Sequence, residues 1–549
     1  MKKLCFALSL MMTSIAFAQI PEADQIDAVF KAWGNREVPG ASLGIFRDGK
    51  ILYSKGYGMA NLEYNIPNDA NSVFRIGSTS KQFTAACIVL LESEGKLSFD
   101  DPLSKFYPEF PECAQRITVR HLLNHTSGIR DYLQLAYLKG YDDDTHYTDA
   151  DIMQWLVRQT SLNFEPGEEY LYSNSGYWLL GQIVEKASGS NMADYARNNI
   201  FRPLEMRDTH FHNYHNRVVK NRASGYAPHS SGAFMISMTT LDMIGDGGIF
   251  TSINDIKKWD DEYYNAAVLP ADFWEKMTTQ GVLNNGETID YALGVFIEDY
   301  KGVKAIRHGG AFVGFRAELV RFPEHNLSIA VFANRADASP WSMADAVADI
   351  LLKDVLKEPE PDAVAEVETA IPAVIFEMEQ MVGTYEIEAG VELEIAIKND
   401  SLNLTQKWNG ASYNIAKTSG NSYGIPGNDN FKFTFKDLKD GKTNTLEVQQ
   451  PGELTITKRK VVKDFSGVDL TAYKGSYYSE ELDVRYAVTA VDDALQVSIG
   501  DNDPISLKQI DNHTFSGSGA TVVFQGSPNI TAFKLESGRV KNVVFIKQD

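Results

Sequence analysis

The chain has 549 residues, of which 44% are hydrophobic and 23% charged, and its net charge is −21. That length exceeds one core and predicts two to four domains at roughly 100–200 residues each. So acidic a chain is a poor partner for nucleic acid or anionic membranes, and solubility accounts for the charge.

Lys2 and Lys3 open the chain, and an apolar run from Leu4 to Ala18 ends in Ala16-Phe17-Ala18 before Gln19. This pattern predicts a signal peptide over 1–18 and an exported protein, periplasmic or secreted. The run is shorter than the roughly 20 apolar residues of a membrane helix, and no later segment qualifies, so no membrane span is expected. Cys5 leaves with the leader. Export permits a Cys87–Cys113 disulfide, but Cys87 falls on the apolar face of a predicted helix, where a buried thiol is the commoner state.

Residues 22–34 read as a first helix. Ala41–Phe46 and Ile51–Tyr53 flank Asp48-Gly49, a strong hairpin signal. From Ser78 a helix is predicted, with Phe83, Cys87, Leu90 and Leu91 as a buried stripe and Gly95 as its stop. Residues 177–187 form another helix. Strands return at Ala317–Phe322 and Leu327–Ala333 around Pro323–Asn326, and a helix from Trp341 to Lys357 closes the region. Strands at both ends with helices between predict an α+β domain over 22–357, an antiparallel sheet flanked by helices with an inserted helical subdomain. The Pro- and acid-rich stretch from Lys357 to Asp362 opens a linker, 358–376. Beyond it short alternating strands predict two small all-β barrels, 377–463 and 464–549. Val382-Gly383-Thr384-Tyr385 resembles Lys474-Gly475-Ser476-Tyr477, and Asn399–Leu404 resembles Asp492–Val497, at a nearly constant offset.

Three motifs carry chemistry. Ser78-Thr79-Ser80-Lys81 puts a hydroxyl and an amine on one helical face, and the helix N-terminus supports developing negative charge. Lys81 serves as a base only if burial or a second cation lowers its pKa. Tyr172-Ser173-Asn174 follows a Pro-Gly turn and precedes a helix: Tyr172 can relay a proton, and Asn174 can hold Lys81 and a substrate amide. His308-Gly309-Gly310 precedes the expected strand Phe312–Phe322, where glycines let a substrate backbone approach and His308 can donate a hydrogen bond or carry charge. Alone, each motif is more often a cap, a loop residue or a turn. Their order, and their places at a helix start, a loop and a strand, make the set specific.

Together with Arg120–Ile129 and Gly245–Ser252, these motifs resemble the penicillin-recognising serine hydrolases: class C β-lactamases, DD-peptidases, esterases and D-aminopeptidases. The resemblance covers 22–357. It implies acylation of Ser78, with Lys81 and Tyr172 as base and relay. Asn174, His308, Gly309, Gly310 and Phe312 would contact substrate. The oxyanion hole would use the Ser78 N–H and a strand N–H, assigned to Phe312. No metal or organic cofactor is implied, and the partner is a peptide or small-molecule substrate.

His-Gly-Gly in place of Lys-Thr-Gly removes a hydroxyl and a fixed charge that seat a β-lactam carboxylate. The expected activity is therefore hydrolysis of amide bonds, including D-amino-acid peptides, or of esters. The alternatives are a carboxylesterase, a weak β-lactamase, or a penicillin-binding sensor without turnover. D-Aminopeptidases of this family send a barrel loop to the active site, and Asn409–Asn430 is the segment expected to do so. His210, His212, His215 and His229 lack accompanying acidic or cysteine ligands and read as surface histidines rather than zinc ligands. His125 reads as structural.

Overall fold

The computed structural model describes residues 20–357 and 375–548, apart from 35–36, 143–144, 389–390, 408–409, 427, 451–452, 461–464, 466–467 and 501. The expected leader and most of the expected linker lie outside the described residues.

Six strands form the central antiparallel sheet: β1 (Ala41–Arg47), β2 (Lys50–Tyr57), β3 (Phe296–Tyr300), β4 (Val303–Phe312), β5 (Phe315–Phe322) and β6 (Leu327–Ala333). Their order is β3-β4-β5-β6-β1-β2, and Ala41↔Ala333 through Arg47↔Leu327 join the two predicted hairpins. β1 and β6 are covered on both faces, which is why each reads as a continuous apolar run rather than an alternating one. On one face Leu43, Ile329 and Val331 pack against Ile26 of helix α1 (Ala23–Val29) and Val347 of helix α4 (Pro340–Leu351). The other face meets the helix Ile253–Asn265, and helices α2 (Lys81–Ser93) and α3 (Asn174–Ser188) pack on each other within the same core.

Three local expectations change. Helix α2 is buried all round from Lys81 to Leu91 instead of along one stripe, so it is the domain's central helix. Helix α4 stops at Leu351 rather than Lys357, because the chain peels away and the Lys357 N–H bonds to the Lys301 carbonyl. His308-Gly309-Gly310 lies inside β4, not ahead of a strand. Glycine signals a break by propensity, yet here it lets the strand press against another backbone.

The tail forms two closed eight-stranded barrels, Gly383–Glu388 to Glu453–Arg459 and Gly475–Ser479 to Val540–Gln548. Tyr385 and Tyr477 each donate a 2.8 Å hydrogen bond to the carbonyl four residues earlier, Met381 and Tyr473. The same tie at equivalent positions supports an internal duplication. The first barrel has its own core around Phe433 and Phe435. The second barrel shares the core of the first, α+β domain and docks on its helical region. There Tyr486 donates to the Leu138 carbonyl (2.7 Å) and Arg130 pairs with Glu481 (2.7 Å).

The segment expected to reach the cleft, Asn409–Asn430, instead supplies the strands Ser412–Ser419 and Ser422–Ile425 of the first barrel; Asn409 and Gly427 lie outside the described residues. Its Ser and Asn side chains satisfy the barrel itself, as in Ser412 to Asn403 (2.6 Å). It is Arg539, at a hairpin tip of the second barrel, that enters the cleft.

Candidate active site

Ser78 sits in a 3-10 turn, Gly77–Ser80, that leads into α2. Gly77 has φ +51°, which a residue with a Cβ adopts reluctantly, and a Cβ there would lie 2.7 Å from the Ala311 nitrogen. The turn is pinned on both sides. Thr79 Oγ1 donates to the His308 carbonyl (3.1 Å), and Ser80 Oγ accepts from the Ile249 N–H (3.1 Å).

Lys81 is fully buried. Its Nζ lies 3.1 Å from Ser78 Oγ, 2.9 Å from Asn174 Oδ1 and 2.6 Å from the Asp246 carbonyl. Burial pushes the amine down to about 8, against the opposing pull of Asp246 and Asp131. In the neutral amine the two N–H bonds go to Asn174 and Asp246, which can only accept. The lone pair is left facing the Ser78 hydroxyl.

Asn174 opens α3. Its N–H and Nδ2 both donate to Asp131 Oδ2 (2.8 and 2.9 Å), which fixes the amide with its oxygen towards Lys81. Tyr172 lies with its ring under Lys81 Nζ (4.8 Å). Its hydroxyl is buried and within range of Ser78 without closing a hydrogen bond of normal geometry. Burial holds this phenol well above its ordinary pKa, while Ser78 and Arg539 pull the other way. The Tyr172 ring rests on His125 (4.1 Å), whose Nδ1 accepts from the Ser173 N–H (3.0 Å). His125 therefore fixes the Tyr172 ring from beneath.

His308 differs from one of its expected roles. Its Nδ1 donates to the Gly309 carbonyl (2.6 Å), so Nε2 accepts from the Tyr291 hydroxyl (3.0 Å). Burial, then the Lys81 charge, push the imidazole down to about 3. It is neutral and cannot supply a cation in place of the missing lysine. An NMR titration of His308 is expected to show one neutral tautomer from pH 5 to pH 8; a protonation step near 6.5 would contradict this geometry. The Gly309 carbonyl, which can only accept, sets that tautomer, and Tyr291, which no sequence motif marks, satisfies Nε2.

The strand N–H nearest Ser78 is not the expected one. Phe312 pairs with Phe315 across a two-residue turn, so the ladder turns its N–H inward onto β5. Alternation sends the Ala311 N–H to the opposite edge, past the end of β3 and beside Gly77. Ala311, not Phe312, therefore turns its N–H towards the Ser78 turn; Phe312 remains in the cleft wall. A Cβ on Gly310 would lie 1.9 Å from the Ile76 carbonyl. Gly310→Ala is thus expected to push β4 off the serine turn and lower kcat/KM by about 100-fold. Steady-state kinetics on any turned-over ester would check it.

These groups line a cleft of about 550 Å³. Elsewhere, His210 Nε2 lies 3.1 Å from His212 Nδ1, and His215 meets Asp242 (3.0 Å). No group of three or more metal-ligating side chains converges among the described residues. Cys87 and Cys113 are both free thiols.

Comparison with known proteins fits this site. Penicillin-binding protein 4* of Bacillus subtilis (strain 168) is 31% identical over 69% of this chain and 86% of its own length. A D-aminopeptidase of Brucella anthropi is 28% identical, over 56% of this chain and 58% of its own length. In three dimensions the octameric penicillin-binding protein homologue from Pyrococcus abyssi matches 80% of this chain and 100% of its own, with a TM-score of 0.58 and 25% identity. A family model described as Beta-lactamase matches residues 26–352, more than half of the sequence, and the chain belongs to the beta-lactamase family.

Proposed function

We propose that this protein is a serine hydrolase that cleaves amide or ester bonds through an acyl-enzyme on Ser78. The observation that carries the reading is the buried Lys81 amine, 3.1 Å from Ser78 Oγ, with its two other hydrogen bonds committed to acceptors. Lys81 takes the Ser78 proton as the hydroxyl attacks the substrate carbonyl. The N–H groups of Ser78 and Ala311 hold the oxyanion. Tyr172, a neutral phenol, gives its proton to the leaving group and takes the one held by Lys81, which restores the free amine; water then attacks the acyl-enzyme, giving up a proton that returns to Ser78 Oγ, and frees the acid.

Peptides containing D-amino acids are the favoured substrates, because the relatives include D-aminopeptidases. Esters come second. At the His308-Gly309-Gly310 strand a β-lactam carboxylate meets neither a cation nor a hydroxyl, so the usual seat for that group is missing there. Export is proposed from Lys2, Lys3 and the apolar run to Ala18; recovery of cells' product with residue 19 at its N-terminus would test it.

The deciding experiment is a panel of 4-nitrophenyl esters, D- and L-aminoacyl 4-nitroanilides, D-Ala-D-Ala peptides and nitrocefin, with mass spectrometry of the Ser78 peptide. Turnover with transient acylation of Ser78 supports the reading. Stoichiometric acylation without turnover means a sensor, and turnover without a Ser78 adduct removes the mechanism.

A further inference from the structure

The second barrel places a guanidinium in the cleft. Strands Ala532–Ser537 and Val540–Gln548 are joined by the two-residue turn Gly538-Arg539, with Gly538 at φ +50°. The turn is clamped to the catalytic domain through its backbone. Asn163 Nδ2 donates to the Arg539 carbonyl (2.9 Å), and the Lys541 N–H donates to Asn163 Oδ1 (2.8 Å). The Arg539 side chain is held far less. It lies over the Tyr172 ring at 4.8 Å and reaches Asp131 only at 3.4 Å, and it is 43% exposed. Asp131 Oδ2 already accepts both Asn174 donors, so this guanidinium has donors to spare.

A second cation lines the same cleft. Arg75, two residues before Gly77, is 7% exposed, stacks on Phe312 at 4.5 Å, and its Nε has no hydrogen-bond partner. Neither buried carboxylate of the cleft hydrogen-bonds either guanidinium: Glu318 Oε1 pairs with Arg307 (2.9 Å) while its Oε2 has no partner, and Asp246, whose charge acts on Arg75, accepts at Oδ2 from the Tyr132 hydroxyl (2.9 Å). A buried guanidinium short of partners and a second held by one long contact favour an anionic guest, and guanidinium geometry matches a carboxylate.

Resting on the Ser78 reading above, we propose that the cleft selects substrates bearing a carboxylate, and that Arg539, contributed by the second barrel, is its specificity-determining residue, with Arg75 as the second cation. The barrel is then part of the substrate site.

The test compares matched substrates on the full chain. One set is 4-nitrophenyl hexanoate, the 4-nitrophenyl monoester of adipic acid, and 3-carboxy-4-nitrophenyl hexanoate, which put the carboxylate on neither side, the acyl side or the leaving group. The other is N-acetyl-D-Ala-D-Ala against its C-terminal carboxamide. The readout is the ratio of kcat/KM for charged over neutral substrate. That ratio belongs to the folded fraction alone, so partial unfolding of a variant leaves it unchanged. Arg539→Ala is expected to lower the ratio about tenfold or more on the side where the carboxylate binds, with Arg539→Lys recovering part of it. Arg75→Ala is expected to lower the same ratio. A ratio unmoved by Arg539→Ala on both sides overturns the assignment while leaving the hydrolase intact. Failure of the parent protein to turn over any of these substrates overturns the Ser78 reading instead, and this inference with it.

Discussion

Ser78→Ala is expected to lower kcat/KM by a factor on the order of 10⁴–10⁶, and Lys81→Met by nearly as much. The two act as one unit, since the amine's only unassigned contact is the Ser78 hydroxyl. Their double replacement should therefore be little worse than either single one. Multiplied losses would mean that the two groups act separately. The pH profile supplies the sign. The proposed mechanism needs Lys81 as the free amine, and burial brings it down to about 8. Activity should rise with unit slope as pH increases towards 8 and level off above about 9. Tyr172 is pushed the other way, well above its ordinary range, so its phenol stays protonated across the plateau. His308, down at about 3, adds no limb near neutrality. A profile that falls between pH 7 and pH 9 would remove Lys81 as the base.

What the sequence reveals here depends on distance along the chain. Ser78 and Lys81 are legible because three residues of helix place them together. Asn174 is legible as a partner through its motif. The groups that make Lys81 usable are not. The Asp246 carbonyl and the Asp131 carboxylate come from loops whose approach is purely tertiary. Tyr291 meets His308 across the β3 side of the sheet, with no local pattern to mark it. Gly310 carried a signal that propensity misreads: a strand glycine counts as a break, whereas the contact with Ile76 requires an unbroken strand without a Cβ. The barrels were legible from alternation and from the repeated Gly-x-Tyr. Which one reaches the cleft was not, because a loop rich in Gly and Asn looks available while Arg539 sits in a short, ordinary hairpin.

Glu481→Ala is expected to cost about 3–5 kcal/mol of stability, because it leaves Arg130 as a buried charge without its ion partner. The Arg130 side chain is 0% exposed and that of Glu481 6%. Glu481 Oε1 also accepts from the Thr160 N–H (3.1 Å), so the loss falls on both sides of the seam between barrel and catalytic domain. Arg130 Nε further bonds the Lys541 carbonyl (3.0 Å), close to the Arg539 turn. Replacing both ion partners with methionine should recover part of the loss, since no unpaired charge then remains. Thermal denaturation and limited proteolysis would read this as a lower midpoint and cleavage around the released second barrel. The consequence for catalysis follows from one more link. The Arg130 carbonyl accepts from Ser175 Oγ (2.6 Å), and its neighbour Asp131 fixes Asn174, which orients Lys81. Loosening the seam therefore loosens the base as well as withdrawing Arg539. A Glu481→Ala protein that keeps its melting midpoint and its activity would show that the barrel is a passenger.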